Sequence, residues 1–169
     1  MRLQALEDRP LLRRLAQDGV KLGVRVGTIM QLSWREASDA DLGLLAEWNH
    51  QLIRDEGHRN PMTVTQLADR MKQWLQGEYR AVLFSTDAPV AYALFSRKTD
   101  PLYLRQLFVR RDCRRTGVGR AAMAVLREQI WPKDVRLTVE VLCTNQTAVA
   151  FWRSVGYRDY SLQLEIVPR

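Results

Sequence analysis

Apolar residues recur every three to four positions in four segments of this chain, and that spacing predicts four amphipathic helices. The first two segments follow Ser38 and Thr63, each with an acidic or amide residue three positions later, which is typical of a capping box. Gly77, Pro132 and Gly156 are predicted to end helices. The apolar stripes are Leu42, Leu45, Trp48 and Leu52; Val64, Leu67, Met71, Trp74 and Leu75; Val118, Ala121, Ala122, Val125, Leu126 and Ile130; and Ala148, Phe151, Trp152 and Val155.

Runs rich in β-branched and aromatic residues predict strands between and beyond these helices. Residues 86–89 carry turn chemistry and predict a hairpin between two of the runs. The element order is β-α-α-β-β-β-α-β-α-β, which predicts an α/β fold with a mixed sheet and helices on its faces. The predicted strands are Leu32–Glu36, Tyr79–Ser85, Val90–Ser96, Leu102–Val109, Val135–Leu142 and Tyr157–Ile166.

Residues 1–30 are predicted to form an N-terminal extension to a compact domain that spans residues 31–169. Leu11, Leu12 and Leu15 predict a short helix after Pro10. The alternation of Val20, Leu22, Val24 and Val26 with other residues predicts a strand. Met30 stands at the boundary as an alternative start of the compact domain.

Composition places the chain among ordinary soluble proteins, with 46% hydrophobic and 27% charged residues. No apolar run approaches the roughly 20 residues that span a bilayer, and the first residues lack an apolar signal core. Cys113 and Cys143 show no metal-ligand spacing. We therefore expect a reduced, cytoplasmic protein with free thiols and no membrane partner.

A glycine-bearing loop, Arg114–Gly119, lies between the predicted strand Leu102–Val109 and a predicted helix. The first turn of a helix leaves backbone N–H groups unpaired, and the helix dipole favours negative charge there. Gly117 and Gly119 let a phosphate approach the backbone without a Cβ in the way. The loop therefore predicts a site for a phosphorylated ligand.

The net charge of +7 is compatible with nucleic acid, an acidic surface or an anionic cosubstrate. Five arginines crowd around the glycine loop, and only Asp112 opposes them. A local cluster of this kind favours a small polyanion over a long nucleic-acid groove, which would also need interleaved aromatic residues. The arginines are Arg105, Arg110, Arg111, Arg114 and Arg115.

Two motifs together resemble the GNAT family of N-acetyltransferases. Leu107-Phe108-Val109 followed by the Arg-x-x-Gly-x-Gly of residues 114–119 is similar to the family's acetyl-CoA motif. Asn145, Ala148, Phe151-Trp152 and Gly156-Tyr157 are similar to its second signature. The resemblance covers residues 31–166 and implies acetyl-CoA as cosubstrate and an amine acceptor.

The resemblance also implies which residues hold the cosubstrate. The strand before the loop and Asn145 would hold the pantetheine arm, Ala148 and Phe151 would line its path, and the loop amides would cradle the diphosphate. The implied contacts are Leu107, Phe108, Val109, Arg114, Arg115, Thr116, Gly117, Val118, Gly119, Arg120, Asn145, Ala148, Phe151 and Trp152.

Glu140 matches the glutamate that serves as general base in some family members, five residues before Asn145. An ammonium nucleophile must lose a proton before it attacks a thioester. Trp152 stands where the family usually has a tyrosine that protonates the leaving thiolate, and an indole N–H is not a usable acid. That role is vacant, filled by water or taken by another residue; Tyr157, Tyr103 and Cys143 are the candidates, with Tyr157 taken as the working one.

The acidic residues Asp55 and Glu56, with His58, lie in the predicted first inter-helix loop, a region that borders the acceptor cleft in this family. Their acidity suits a cationic amine, and a merely solvated loop is the alternative. His50 and His58 are solitary, so no metal site is expected.

The leading hypothesis is an N-acetyltransferase that moves an acetyl group from acetyl-CoA to a primary amine by direct attack. A backbone N–H near Val109 would stabilise the oxyanion. The alternative is a non-catalytic acyl-CoA-binding regulatory module, and a basic nucleic-acid binder ranks last. The acceptor and the oligomeric state stay open, although homodimers are common in the family.

Overall fold

Six strands in the described part of the chain form a sheet in chain order. The computed structural model describes residues 21–22, 31–98 and 100–167. Neighbouring strands are antiparallel except the last two, which are parallel. The mixed sheet is therefore confirmed. The strands are β1 (Lys21–Leu22), β2 (Ser33–Glu36), β3 (Tyr79–Ser85), β4 (Pro89–Ser96), β5 (Leu102–Val109) and β6 (Leu137–Val139).

The helices begin and end close to the predicted positions, as α1 (Leu42–Glu56), α2 (Val64–Gln76), α3 (Val118–Val125) and α4 (Gln146–Ser154). Before α1, the carboxylate of Asp41 accepts from the backbone N–H of Ser38 at 2.8 Å. Before α2, Thr63 Oγ1 accepts from the Gln66 N–H, and Gln66 Oε1 accepts from the Thr63 N–H. Side chains thus satisfy backbone donors at both helix starts, as the sequence predicts.

The two faces of the sheet carry separate apolar cores. One core joins α1 and α2 to alternate residues of the strands, namely Leu45, Trp48 and Met71 with Leu83, Tyr92, Leu94 and Phe108. The other joins α3 to the remaining alternate residues, namely Val118, Ala122 and Leu126 with Val82, Phe84, Ala93 and Leu104. The helix pair α1–α2 and the helix α3 therefore lie on opposite sides of β5.

β5 contains a bulge that changes which of its residues face each side. Leu94 pairs with Gln106, but the next residue, Phe95, pairs with Leu104, so Arg105 is the extra residue. β6 pairs only with residues 102–104 of β5. The two parallel strands therefore part at Arg105, and the edge of β5 beyond it is open.

Two of the predicted strands need correction. Residues 157–167 form no strand in the structure, and their alternating apolar side chains Tyr160, Leu162, Leu164 and Ile166 are exposed. A period of two indicates an extended chain but not which edge it pairs with, and β6 offers an edge of three residues only. β6 also ends at Val139, so Glu140 follows the strand instead of lying on it.

Other predictions differ less or fall outside the described residues. The helix expected over residues 118–131 is α3 followed by a π-helical turn, Leu126–Ile130. The predicted helix after Pro10 lies outside the described residues, and of the predicted strand near Val20–Val26 only β1 is described. No helix in the described ranges is long and apolar enough to cross a bilayer.

Candidate active site

The loop before α3 presents a continuous run of backbone N–H groups, from Arg115 to Arg120, that donate no hydrogen bond to any described residue; we call it the amide run. The first intrahelical bond of α3 is donated by Ala121 to the Gly117 carbonyl at 3.0 Å. Arg115 and Gly117 have positive φ angles of 65° and 95°. Left-handed residues at these positions turn successive N–H groups towards one concavity, which is the geometry of an anion-binding nest.

The two glycines of the loop have different roles. A Cβ on Gly117 would meet no atom within 4 Å, so its outer side is open, and its φ of +95° favours glycine. A Cβ on Gly119 would lie 3.2 Å from Cε2 of Phe151 and 3.7 Å from Val109. Gly117 therefore fits the expected approach of a phosphate, whereas Gly119 makes room for the Phe151 ring on α4.

Arg114 fixes the loop to the end of β5 and to α1. Its Nε donates to the Val109 carbonyl at 2.9 Å, and its Nη2 lies 2.5 Å from Asp55 Oδ2. Arg111 pairs with the same carboxylate. Burial raises the pKa of Asp55, but the hydrogen bonds from Arg111 and Arg114 outweigh it and hold that pKa below its usual value. The charge of Asp55 is thus compensated, and this residue is not a free acidic group at the acceptor cleft.

The open edge of β5 carries free main-chain groups beside this loop. The Arg110 N–H donates to Val90 on β4 at 2.9 Å. Since successive residues of a strand direct their N–H groups to opposite sides, the N–H groups of Leu107 and Val109 point away from β4. No described strand pairs with them there. An extended ligand with amide groups can therefore add to this edge as a short strand does.

α4 lies beside the loop before α3, with Phe151 against Gly119. Asn145 caps this helix, with its Oδ1 accepting from the Ala148 N–H at 3.1 Å, and its side-chain amide donates to no described residue. Phe151 and Trp152 are in T-shaped contact, with ring centroids 5.0 Å apart. Trp152 is only 9% exposed and belongs to the core on the α3 side. The indole of Trp152 therefore contacts Phe151 from the core side, and packing accounts for the position of Trp152.

The predicted base lies where β5 and β6 part. Glu140 is exposed, and its Oε2 accepts a hydrogen bond of 3.1 Å from the hydroxyl of Tyr103. Burial and the charge of Glu140 raise the pKa of Tyr103 to about 12. Tyr103 therefore remains protonated and orients the carboxylate.

The two other residues considered as proton donors lie elsewhere. The hydroxyl of Tyr157 is buried without a hydrogen-bond partner, and burial raises its pKa to about 12. The positive charge of Arg127 acts in the opposite direction and lowers the pKa of Tyr157. The Tyr157 ring packs edge-on against Trp152. Cys143 is an exposed free thiol in the turn before α4. Of the three, only Tyr103 is in contact with Glu140.

A buried polar network on the α1–α2 side was not predicted from the sequence. The Gln106 Nε2 donates to Asn49 Oδ1 at 2.7 Å, and the Tyr92 hydroxyl donates to Gln106 Oε1 at 2.9 Å. Asn49 is fully buried, and its own Nδ2 has no partner. Burial and the neighbouring Asp55 raise the pKa of Glu56, which acts electrostatically on Tyr92. The one available signal is that Asn49 falls four residues after Leu45, on the apolar face of the helix.

The amide run, the open strand edge and the parted strands define an acetyltransferase fold. The model of the acetyltransferase (GNAT) family matches residues 34–157. The chain therefore belongs to the GNAT acetyltransferase family.

Several solved structures share this fold. A protein from Clostridium difficile 630 described as a possible acetyltransferase is 20% identical, with a TM-score of 0.65 over 82% of this chain and 99% of that one. The aminoglycoside N-acetyltransferase AAC(6')-Iy in complex with CoA is 14% identical, with a TM-score of 0.65 over 86% and 99% of the two chains. An acetyltransferase from Thermus thermophilus is 23% identical, with a TM-score of 0.62 over 77% and 88%. No curated protein sequence matches this chain.

Proposed function

We propose that this protein transfers an acetyl group from acetyl-CoA to a primary amine by direct attack of the amine on the thioester. The observation that carries the proposal is the amide run, a set of unpaired donors at the start of a helix in a chain of this family. Such a site suits a diphosphate because the donors are already oriented and the helix dipole adds positive potential. A related fold has been solved with CoA, which supports the same ligand here.

The described residues suggest how the cosubstrate is held. The amide run takes the diphosphate, with Gly117 giving it open access. The pantetheine arm adds to the open edge of β5 at Leu107–Val109, and Asn145 donates to it from the start of α4. Phe151 then lies alongside the arm, because its ring already lies against Gly119, where an added Cβ would be 3.2 Å from Cε2 of the ring.

The chemistry requires a base at the point where the thioester and the amine meet. The Glu140 carboxylate takes a proton from the ammonium group, and the freed nitrogen attacks the thioester carbonyl. The N–H of Val109, on the open edge of β5, stabilises the resulting oxyanion. The C–S bond then breaks, CoA departs as the thiolate, and the nitrogen releases its second proton to solvent. Tyr103 holds Glu140 in place through its 3.1 Å hydrogen bond.

Two measurements test the proposal together. Calorimetry at moderate ionic strength should detect binding of both CoA and acetyl-CoA, and a thiol assay should detect CoA release with amines from a broad panel. Absence of a binding heat with both CoA and acetyl-CoA would reject the proposed site itself.

A second candidate is a non-catalytic acyl-CoA-binding module, which is favoured by Trp152. That residue is buried in packing at the position where the family usually supplies an acid. Two results together would select this candidate. Acetyl-CoA binds clearly without turnover of any amine, and Glu140→Gln leaves that binding unchanged.

A further inference from the structure

Two arginines on the α1–α2 side of the sheet lie against one tryptophan. The Cζ atoms of Arg70, on α2, and of Arg105, at the bulge of β5, are each 4.5 Å from the centre of the Trp74 ring. Arg105 is also 5.5 Å from the Tyr79 ring and donates to the Tyr79 hydroxyl at 3.3 Å. We call these four residues the arginine–aromatic cluster.

No carboxylate compensates the positive charge of this cluster within the described residues. Neither Arg70 nor Arg105 forms an ion pair there, and Nε of Arg70 is buried without a hydrogen-bond partner. Burial and the positive charge of Arg105 lower the pKa of Arg70. Arg70 is half-buried and is repelled by the exposed Arg105, and an anion bound between them would relieve both the desolvation of Arg70 and this repulsion.

Some other arginines of the chain have a carboxylate partner, and the described arginines that lack one are exposed, namely Arg54, Arg97, Arg115, Arg120, Arg127, Arg136 and Arg158. Arg35, Arg80, Arg110, Arg111, Arg114 and Arg153 each have a carboxylate partner. The nearby acidic residues Glu56 and Glu140 act electrostatically on Tyr92 and Tyr103, but neither comes within 4 Å of the two guanidinium groups. Arg70 therefore differs from the other unpaired arginines, which are all exposed, because it is half-buried and its Nε has no hydrogen-bond partner among the described residues.

The cluster borders the place where the amine is proposed to react. Arg105 is the residue at which β5 and β6 part, and Tyr103, two positions earlier, donates to Glu140. Both Glu140 and Arg105 act on the Tyr103 hydroxyl. A molecule whose amine lies at Glu140 can therefore reach the cluster with another of its groups.

We propose that Arg70 and Arg105 bind a carboxylate group of the acceptor, so that the acceptor is an amino acid or a peptide and not a polyamine or another polycation. This inference rests on the proposed function. Guanidinium groups match carboxylates in geometry and charge, and the half-buried Trp74 and Tyr79 rings form an apolar wall for the rest of the molecule. A polycation would instead add positive charge to a site that already carries two unpaired cations.

Matched amines that differ only in a carboxylate test this assignment. L-phenylalanine is compared with phenethylamine, and L-lysine with 1,5-diaminopentane, by CoA release. We expect kcat/KM to be about tenfold or more higher for the carboxylated member of each pair. Peptides with a free C-terminus or a C-terminal amide distinguish a peptide acceptor from a free amino acid.

Substitutions then locate the effect. Arg70→Gln and Arg105→Gln should each raise KM for the carboxylated amine by about tenfold, with kcat little changed and phenethylamine unaffected. Lys72→Gln is the matched control, because Lys72 is an exposed cation on the same helix, two residues from Arg70. Equal kcat/KM within each pair, equal effects of the glutamine variants on both amines, or a preference for phosphoethanolamine over every carboxylated amine would overturn the inference.

A binding measurement separates this inference from the proposed function. N-acetyl-L-phenylalanine, a product-like carboxylate without an amine, is titrated into the CoA-bound protein. Binding that is lost in Arg70→Gln but kept in Lys72→Gln supports the carboxylate site even if no amine is acetylated. Turnover of amines without any dependence on a carboxylate supports the enzyme and rejects the site. Thermal melting of each variant shows that it is folded.

Discussion

The hydroxyl of Tyr103 donates to the carboxylate of Glu140 at 3.1 Å, and this bond joins β5 to the residue that follows β6. The bond lies just before the two strands part, so it places a carboxylate at the point where the edge of β5 becomes unpaired. Burial keeps the phenol protonated, with its pKa raised to about 12, and the hydroxyl is therefore a steady donor. Because Glu140 itself is exposed, this hydrogen bond is what fixes the position of the proposed base.

Glu140→Gln should lower kcat by about 10²- to 10⁴-fold, because removing a general base typically has an effect of that size. The affinity for acetyl-CoA should not change, since Glu140 is hydrogen-bonded to Tyr103 in the first part of β5, whereas the amide run follows the last residue of that strand. Tyr103→Phe should lower kcat by only about fivefold, as expected for one ordinary hydrogen bond. Steady-state kinetics and calorimetry measure both quantities. A Glu140→Gln enzyme with the parental kcat would remove Glu140 from the mechanism.

Alanine at the two loop glycines should have separable effects. Gly117→Ala places a side chain at a φ of +95°, with strain of about 1–2 kcal/mol. The loop can relieve that strain only by moving its N–H groups, so the dissociation constant for CoA should rise several-fold. Calorimetry with CoA measures this effect, and an unchanged affinity would mean that the loop is not the diphosphate site.

Gly119→Ala should instead lower the melting temperature, because the new Cβ would lie 3.2 Å from Cε2 of Phe151. A second change, Phe151→Leu, makes room for the added methyl group and should recover part of the loss. Thermal melting of the two single variants and the double variant measures the coupling. Additive losses would show that this contact does not govern the site.

Double-mutant cycles should rank the two arginines that share Asp55. The side chain of Arg114 is 37% exposed and also donates to Val109, whereas that of Arg111 is 64% exposed. We expect a coupling free energy of about 1–2 kcal/mol for Asp55 with Arg114, and below about 0.5 kcal/mol for Asp55 with Arg111. Chemical unfolding of the asparagine and glutamine variants provides the numbers. The reverse order would mean that Arg114 does not anchor the loop.

Asp41 should make the protein sensitive to acid. The hydrogen bonds from Arg35 lower the pKa of Asp41 to about 2, against the burial that raises it. Because the folded-state pKa lies below the unfolded value, this contribution is present above about pH 4 and is lost as the pH falls towards 2. It amounts to about 2 kcal/mol. Asp41→Asn should therefore flatten the fall in unfolding free energy between pH 4 and 2, and an unchanged slope would contradict the assignment.

Local signals in the sequence predicted much of this fold. Thr63 with Gln66 indicated the start of α2 because the two residues exchange hydrogen bonds with each other's backbone, and the structure confirms both bonds. The loop before α3 was predicted from its two glycines between a strand and a helix, and the structure adds that Gly117 adopts a left-handed backbone. Caps and turns depend on residues close in the chain, so their patterns are visible in the sequence.

Features that depend on distant partners were not predictable in this way. The extra residue at Arg105 shows only in the pairing with β4, and the network of Asn49, Tyr92 and Gln106 joins a helix to two strands. The alternation over Tyr157–Ile166 was interpreted as a strand, but alternation does not identify a pairing edge. The role given to Gly119 changed because Phe151, the side chain that needs its space, lies 32 positions further along the chain.

The amide run has a consequence for how this chain can diverge from its relatives. Main-chain donors are the same whichever side chains surround them, so most of residues 115–120 can change in evolution without loss of the proposed anion site. Gly117 and Gly119 are the exceptions, one for its dihedral angles and the other for the room it leaves. Selection on the choice of acceptor would then act on the opposite face of the sheet, where Arg70 and Arg105 are free to change while the cosubstrate site stays intact.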